Sequence, residues 1–299
     1  MRPAPKTFLA RMRDALRSRV TTFEYLEARN DPSADGSLRF LAGLRNANGV
    51  WKTTARHRLD DVLPALIRAL GSPAEARVLD VGCSSGLSTL ELSEALALCG
   101  IPAEVIGTDV SLTARLLRDA HGRGMLFLDR EHVSQVELEG WALGWPPALS
   151  EKLLHPIRVR RARAFMARSL ARYREGARGR AAELAPRDVP LTVPVPKGRA
   201  VRFVQEAVLE PAIRDRFHAI LAANFLNLNY FSADQLRKAV NALRERLVPD
   251  GVLCIVRTIE NGRNHGTVFR MKGPHPIVLE RIGNGSEIEH LVTPPHSAG

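Results

Sequence analysis

Residues 78–86 read Val-Leu-Asp-Val-Gly-Cys-Ser-Ser-Gly, and Leu87-Ser-Thr-Leu-Glu-Leu-Ser-Glu-Ala-Leu96 follows at once. The first part is a short apolar run that predicts a strand over 76–82, and the second predicts a helix over 87–98. The turn between them carries Gly82, Ser84 and Gly86 at alternate positions. Small residues there let the backbone pass close to a ligand at the N-terminus of the following helix. No Gly-Lys-Ser/Thr follows, which excludes a Walker phosphate loop, and the dinucleotide fingerprint GxGxxG is not met either. Asp80, at the strand end, would oppose a pyrophosphate. The site suits a nucleoside bearing a cation.

Working outward, Ala103 to Asp109 predicts a second strand ending in an acid, 29 residues after Asp80. In doubly wound sheets such an acid reaches a ribose, because two carboxylate oxygens accept from two vicinal hydroxyls. Further strands are expected over 201–206, ending at Glu206, over 217–224, ending at Asn224, and over 252–257, with a helix over 233–247. Two β-like runs in 266–292 suit a terminal hairpin on the sheet edge. Strands alternating with helices give an α/β class: a doubly wound, Rossmann-like, mostly parallel sheet. Helices over 7–28, 37–45 and 59–70 make residues 1–70 a helical N-terminal extension to a domain spanning 71–299. The rhythm breaks once, where 88 residues, 111–198, separate the second and third strands. This stretch reads as an α-helical insertion. Its centre, 158–182, carries nine Arg against one Glu, and Pro186, Pro190, Pro194 and Pro196 close it as an extended linker.

The composition bounds the rest. The chain has 299 residues, 45% hydrophobic and 25% charged, enough for a buried core. Lys+Arg outnumber Asp+Glu by 43 to 32, a net charge of +11, which points to an anionic partner or membrane surface at the Arg-rich insert 158–182. Aromatics are only 5%, without a stacking platform, which argues against nucleic acid. Three cysteines without CxxC spacing offer no disulfide framework or structural zinc site, and a reducing cytoplasm fits best. No apolar run of membrane-spanning length exists, so the expected location is cytoplasmic, with peripheral membrane contact through the insert.

Taken together, the strand–turn–helix at 78–96, the two strand-end acids Asp80 and Asp109 and the strand order resemble the class I S-adenosylmethionine-dependent methyltransferases, over about 71–110 and 200–257. Their motif reads acid-x-Gly-x-Gly-x-Gly, with Ser84 here in the middle place. The resemblance implies S-adenosyl-L-methionine as cofactor. It implies Gly82, Ser84 and Gly86 along the methionine moiety, with Asp80 ordering the loop and facing the amino group. It further implies Asp109 at the ribose, Val110 against adenine, Glu206 at the adenine amino group and Asn224 at the cofactor and substrate-facing edge. Residues 217–251 also partly resemble the chemotaxis receptor methyltransferases through Asn224, Leu226, Tyr230 and Phe231. The Thr-x-Phe-Phe-Arg element of that family is missing; Trp51 to Arg58 stands in its place, and its Trp51–Thr54 part is a candidate to fold over the cofactor. The expected activity is in-line methyl transfer to a small-molecule or lipid-like acceptor, with Asn224, Tyr230 and His132 as catalytic candidates. The alternatives are a protein-glutamate O-methyltransferase of the chemotaxis type and a non-catalytic cofactor-binding regulatory protein.

Overall fold

The computed structural model describes residues 19–29, 35–44, 55–129, 132–176, 186–259, 262–273 and 275–293. In chain order these hold α1 (Thr22–Ala28), α2 (Asp35–Ala42), α3 (Leu63–Leu70), β1 (Ala76–Val81), α4 (Leu87–Leu98), β2 (Ala103–Asp109), β3 (Thr113–Arg118), β4 (Gly124–Phe127), β5 (Val133–Leu138) and β6 (Trp141–Gly144). There follow α5 (Leu149–Leu154), α6 (Pro156–Gly176), β7 (Pro186–Pro190), β8 (Val201–Gln205), β9 (Phe217–Ala223), α7 (Ala233–Glu245), β10 (Leu247–Thr258), β11 (Asn264–Lys272), β12 (His275–Ile282) and α8 (Glu289–Val292). The chain divides into two units: Ala55–Leu112 with Val195–Gly299, and Met1–Thr54 with Thr113–Pro194.

The first unit is built on a seven-stranded sheet of order β12-β11-β10-β9-β1-β2-β8. The strands from β10 to β8 run parallel, while β11 and β12 return antiparallel as the expected hairpin. β1 and β9 are buried almost throughout, as central strands covered on both faces must be. Alternate residues divide the two cores. Val78, Val105, Leu221 and Cys254 pack with α3 and α4 on one face. Leu79, Ile106, Ile220 and Leu253 pack with Leu236, Val240 and Leu243 of α7 on the other. The chain runs outward from β1 to β2 to β8, then crosses back to β9 on the far side of β1. That reversal opens a crevice at the carboxyl ends of β1 and β9, where ligands of such sheets bind.

The second unit departs from the expectation. In place of an α-helical insertion it holds a five-stranded antiparallel sheet of order β6-β5-β4-β3-β7. Helix α6 covers one face through Val159, Ala162 and Phe165, against Leu117, Met125, Val136 and Leu143. Tyr25, Phe40, Leu41 and Leu44 cover the other, against Leu116, Leu126 and Val189. Residues of α1 and α2 therefore belong to this unit rather than to a free-standing extension. The proline-flanked segment read as a linker supplies the edge strand β7, where missing amide donors are tolerated. Residues 1–18, 51–54 and 177–182, on which parts of the sequence reading fell, lie outside the described residues. In the first unit, the helix expected from 59 begins at Leu63, after a run of turns.

Candidate functional site

The loop after β1 is pinned to the end of β2. Gly82 and Cys83 both donate their amides to the Thr108 carbonyl, at 2.8 and 2.9 Å. The Ser84 amide donates to Asp109 Oδ2 at 2.9 Å, and the Ser111 amide to Asp109 Oδ1 at 2.9 Å. Asp109 thus stands half-buried at the crevice with its carboxylate fixed in direction. Ser84 adopts the left-handed backbone (φ 57°), a conformation that costs a residue with a Cβ about 1–2 kcal/mol. Its Oγ is buried without a hydrogen-bond partner. Gly86 caps α4 at φ 75°, and a Cβ there would overlap the Phe203 ring of β8. The loop therefore has its shape because these positions are small, and it leaves an orphaned hydroxyl beside a fixed carboxylate.

Below the loop lies Asp80, 2% exposed, accepting from Thr89 Oγ1 at 2.6 Å. Burial pushes its carboxyl up to about 6; the Thr89 hydrogen bond and the Arg58 guanidinium pull the other way, and Asp109 adds to the rise. Arg58 is itself held below the usual guanidinium range by burial, against the attraction of Asp80 and Glu91. It donates Nη2 to Ser88 Oγ at 3.3 Å, and its Nε is buried without a partner. Two opposite charges are thus held at the N-terminus of α4, neither comfortable in its surroundings.

The carboxyl end of β9 is organised by amides. Asn224, at φ 58°, accepts from the Thr258 amide at 2.6 Å and donates Nδ2 to Thr258 Oγ1 at 3.1 Å. Thr258 Oγ1 donates to Asn264 Oδ1 at 2.7 Å, and Asn264 Nδ2 reaches the Arg58 carbonyl at 2.7 Å and the Asp61 carboxylate. One chain of hydrogen bonds therefore ties the ends of β9 and β10 to the turn that carries Arg58.

The structure places Asp80, Gly82, Ser84, Gly86, Asp109 and Asn224 at or just beyond the carboxyl ends of β1, β2 and β9. Val110 follows Asp109, 61% exposed, and Tyr230 sits in the loop after Asn224, 47% exposed. Glu206 is a correction. Its Oε1 accepts from Arg246 Nη1 at 2.8 Å and its Oε2 from the amides of Ala212 and Ile213 at 2.9 and 3.2 Å, with both side chains buried. That carboxylate is committed to a buried ion pair and a turn, not to an adenine amino group. His132 belongs to the antiparallel-sheet unit, exposed before β5, with Nδ1 3.0 Å from Asp129. Sequence reading missed Thr89, Thr258 and Asn264, named Arg58 only as the end of the 51–58 stretch, and had no short-range signal for the Arg58–Asn264 contact, 206 positions apart. Among the described residues no cluster of His, Cys, Asp or Glu suited to a metal ion is present. None of their helices is long and apolar enough to cross a membrane.

No protein-family model matches the chain, and no curated protein does. Among solved structures it is similar to the YcgJ protein from Bacillus subtilis, at 17% identity and a TM-score of 0.30, covering 68% of this chain and 51% of that one. It is also similar to the N-methyltransferase NodS from Bradyrhizobium japonicum in complex with S-adenosyl-L-homocysteine, at 13% identity and a TM-score of 0.31, covering 71% and 67%. A third is CalS10, an S-adenosylmethionine-bound amino pentose methyltransferase from Micromonospora echinaspora, at 18% identity and a TM-score of 0.31, covering 73% and 59%. The chain spans about half the length of the first of these.

Proposed function

We propose that this chain is an S-adenosyl-L-methionine-dependent methyltransferase acting on a small-molecule or lipid-like acceptor. One observation carries the reading: the small-residue loop Gly82–Gly86 is bonded through the Ser84 amide to the strand-end carboxylate Asp109, at the point where the sheet order reverses. A nucleoside fits this edge, with its ribose hydroxyls on Asp109, its base beside the exposed Val110 and its amino-acid end at the loop, Asp80 and Arg58. When bound, the cofactor supplies an activated methyl group on a sulfonium with a neutral leaving group. The chain's part is then to hold, orient and exclude water. Asp109 and the loop fix the nucleoside end. Asn224, locked by Thr258, shapes the edge beside it, and Tyr230 offers a half-exposed hydroxyl and ring to an acceptor.

Isothermal calorimetry with S-adenosyl-L-methionine tests the premise. Binding is expected, and Asp109→Ala is expected to weaken it at least about tenfold by removing the acceptor for the ribose hydroxyls. Wild type that shows no heat, or an Asp109→Ala variant that binds equally well, overturns the reading. Tritiated methyl transfer into a lysate, sorted into lipid, small-molecule, RNA and protein fractions, identifies the acceptor. Label in lipid or small molecules supports the proposal. Base-labile label in protein replaces it with the chemotaxis-type alternative. Binding with no label anywhere leaves a regulatory cofactor-binding protein.

A further inference from the structure

Helix α5 and the first turns of α6 carry an exposed apolar and basic surface among the described residues. Leu149, Leu153 and Ile157 are 72%, 72% and 74% exposed, and Leu154 between them is 36% exposed. Three large aliphatic side chains so nearly uncovered within nine residues, with a fourth partly exposed between them, mark a site of association rather than scattered surface apolarity. On α6, Val159, Ala162 and Phe165 turn to the sheet, while Arg160, Arg161, Arg163 and Arg168 are exposed, as is Lys152 on α5. Between Pro156 and Ala171 the sequence has no acidic residue. Nearby acids offset little of this charge beyond Arg161. Glu151 is buried, bonded to Arg19 and to the Ala148 amide, while Glu139 pairs with Arg161. Phe165 is buried, and the half-buried Trp141 lies under Arg158, whose guanidinium is 5.4 Å from the ring centroid.

We propose that this surface seats on an anionic lipid bilayer. Leu149, Leu153, Leu154 and Ile157 enter the boundary between headgroups and acyl chains, and Lys152, Arg160, Arg163 and Arg168 lie at the lipid phosphates. Charge complementarity selects an anionic occupant. The form of the apolar part selects a bilayer among anionic occupants: protruding aliphatic side chains need a fluid medium to enter, whereas bases need aromatic faces to stack on. The long arginine stems let the charged heads rise to the headgroup level while the aliphatic residues sink. This inference does not depend on the methyl-transfer reading, and either stands if the other fails.

Vesicle co-sedimentation of the intact protein tests it, at an ionic strength of about 0.1 M where surface charge still acts over about 10 Å. Binding to phosphatidylglycerol–phosphatidylcholine vesicles is expected, with little to phosphatidylcholine alone. Reversing Arg160→Glu with Arg163→Glu is expected to weaken binding by more than about tenfold, since each basic residue near an anionic surface contributes about fivefold. Leu153→Asp with Ile157→Asp is expected to weaken it by a similar factor. These positions are exposed, so an unchanged circular dichroism spectrum is expected, and Leu153→Ser with Ile157→Ser serves if the charged pair fails to fold. The proposal is overturned by no sedimentation with anionic vesicles, by equal binding to neutral ones, or by binding indifferent to the Leu153 and Ile157 changes. Retention on an acidic peptide resin without vesicle binding also overturns it and assigns the face to a protein.

Discussion

Asp80 gives the sharpest physical test of the site. Its carboxyl is pushed up by burial from 3.8 to about 6, even with Thr89 donating to it and Arg58 nearby. A folded-state value above the unfolded one means that the protonated form is favoured by folding. The associated stability is fully present below about pH 4 and is lost as pH rises through about 6. The interval between the two values is worth roughly 3 kcal/mol for a group this buried. Asp80→Asn keeps an acceptor for Thr89 and removes the ionisation. It also removes one of the two negative charges acting on Arg58, Glu91 being the other, which adds a destabilising offset to the variant across pH 4 to 7, because a guanidinium stays charged throughout. The raw pH profile is no guide. Glu104, Asp215 and Glu289, held below the ordinary carboxylate range by Arg202, Arg77 and Arg281, act in the opposite sense. The difference between wild type and variant isolates Asp80. Urea denaturation of both proteins is expected to show wild type losing about 3 kcal/mol relative to the variant between pH 4 and pH 7. Carboxyl-carbon titration by NMR, with the variant assigning the signal, is expected to place the midpoint near 6. A stability difference flat over that range, or an Asp80 signal titrating near 4, would refute the burial argument.

Two further perturbations separate shape from binding. Gly86→Ala forces a Cβ into the left-handed region and against the Phe203 ring, and is expected to cost about 2–5 kcal/mol by denaturation. Adding Phe203→Ala is expected to recover only the steric part; full recovery would show that backbone strain plays no role. Glu206→Ala leaves Arg246 buried without its counter-ion and is expected to cost about 3–5 kcal/mol. The milder Glu206→Gln, where it folds, is expected to bind S-adenosyl-L-methionine within about threefold of wild type; a large loss of affinity at unchanged stability would restore an adenine contact.

Local pattern carried the first unit. The run 78–96 specifies a strand, a tight turn and a helix within nineteen residues, and α4 spans Leu87–Leu98 as its period predicts. The hairpin β11–β12 was legible for the same reason. The antiparallel sheet of the second unit was not. Its strands are four to six residues long, and the Arg- and Ala-rich helix beside them dominates the composition of the segment. In the site, Asp109 and Glu206 look alike in sequence, each an acid at a strand end. What distinguishes them is non-local: Glu206 meets the Arg246 side chain, 40 positions on, whereas Asp109 meets the Ser84 amide of the loop after β1, 25 positions back. An alternation pattern places a carboxylate at an edge, but only its partners decide whether it serves the fold or a ligand.

The balance of charge around α4 follows from the same reasoning. Asp80 and Arg58 perturb each other, yet each remains penalised by burial, and Arg58 keeps an Nε with no partner. A neutral ligand would relieve neither group, and a simple cation or anion only one. A zwitterionic amino-acid end relieves both, its ammonium favouring ionised Asp80 and its carboxylate giving Arg58 the acceptor it lacks. Such a ligand pulls the Asp80 carboxyl back toward the ordinary carboxylate range on binding, so binding takes up the ionised form. Affinity for S-adenosyl-L-methionine is therefore expected to rise as pH passes through about 6, in the same window where the unliganded fold loses stability. The +11 of the whole chain has no part in this, since the crevice is governed by one buried acid, one partly satisfied arginine and the strand-end carboxylate beside them.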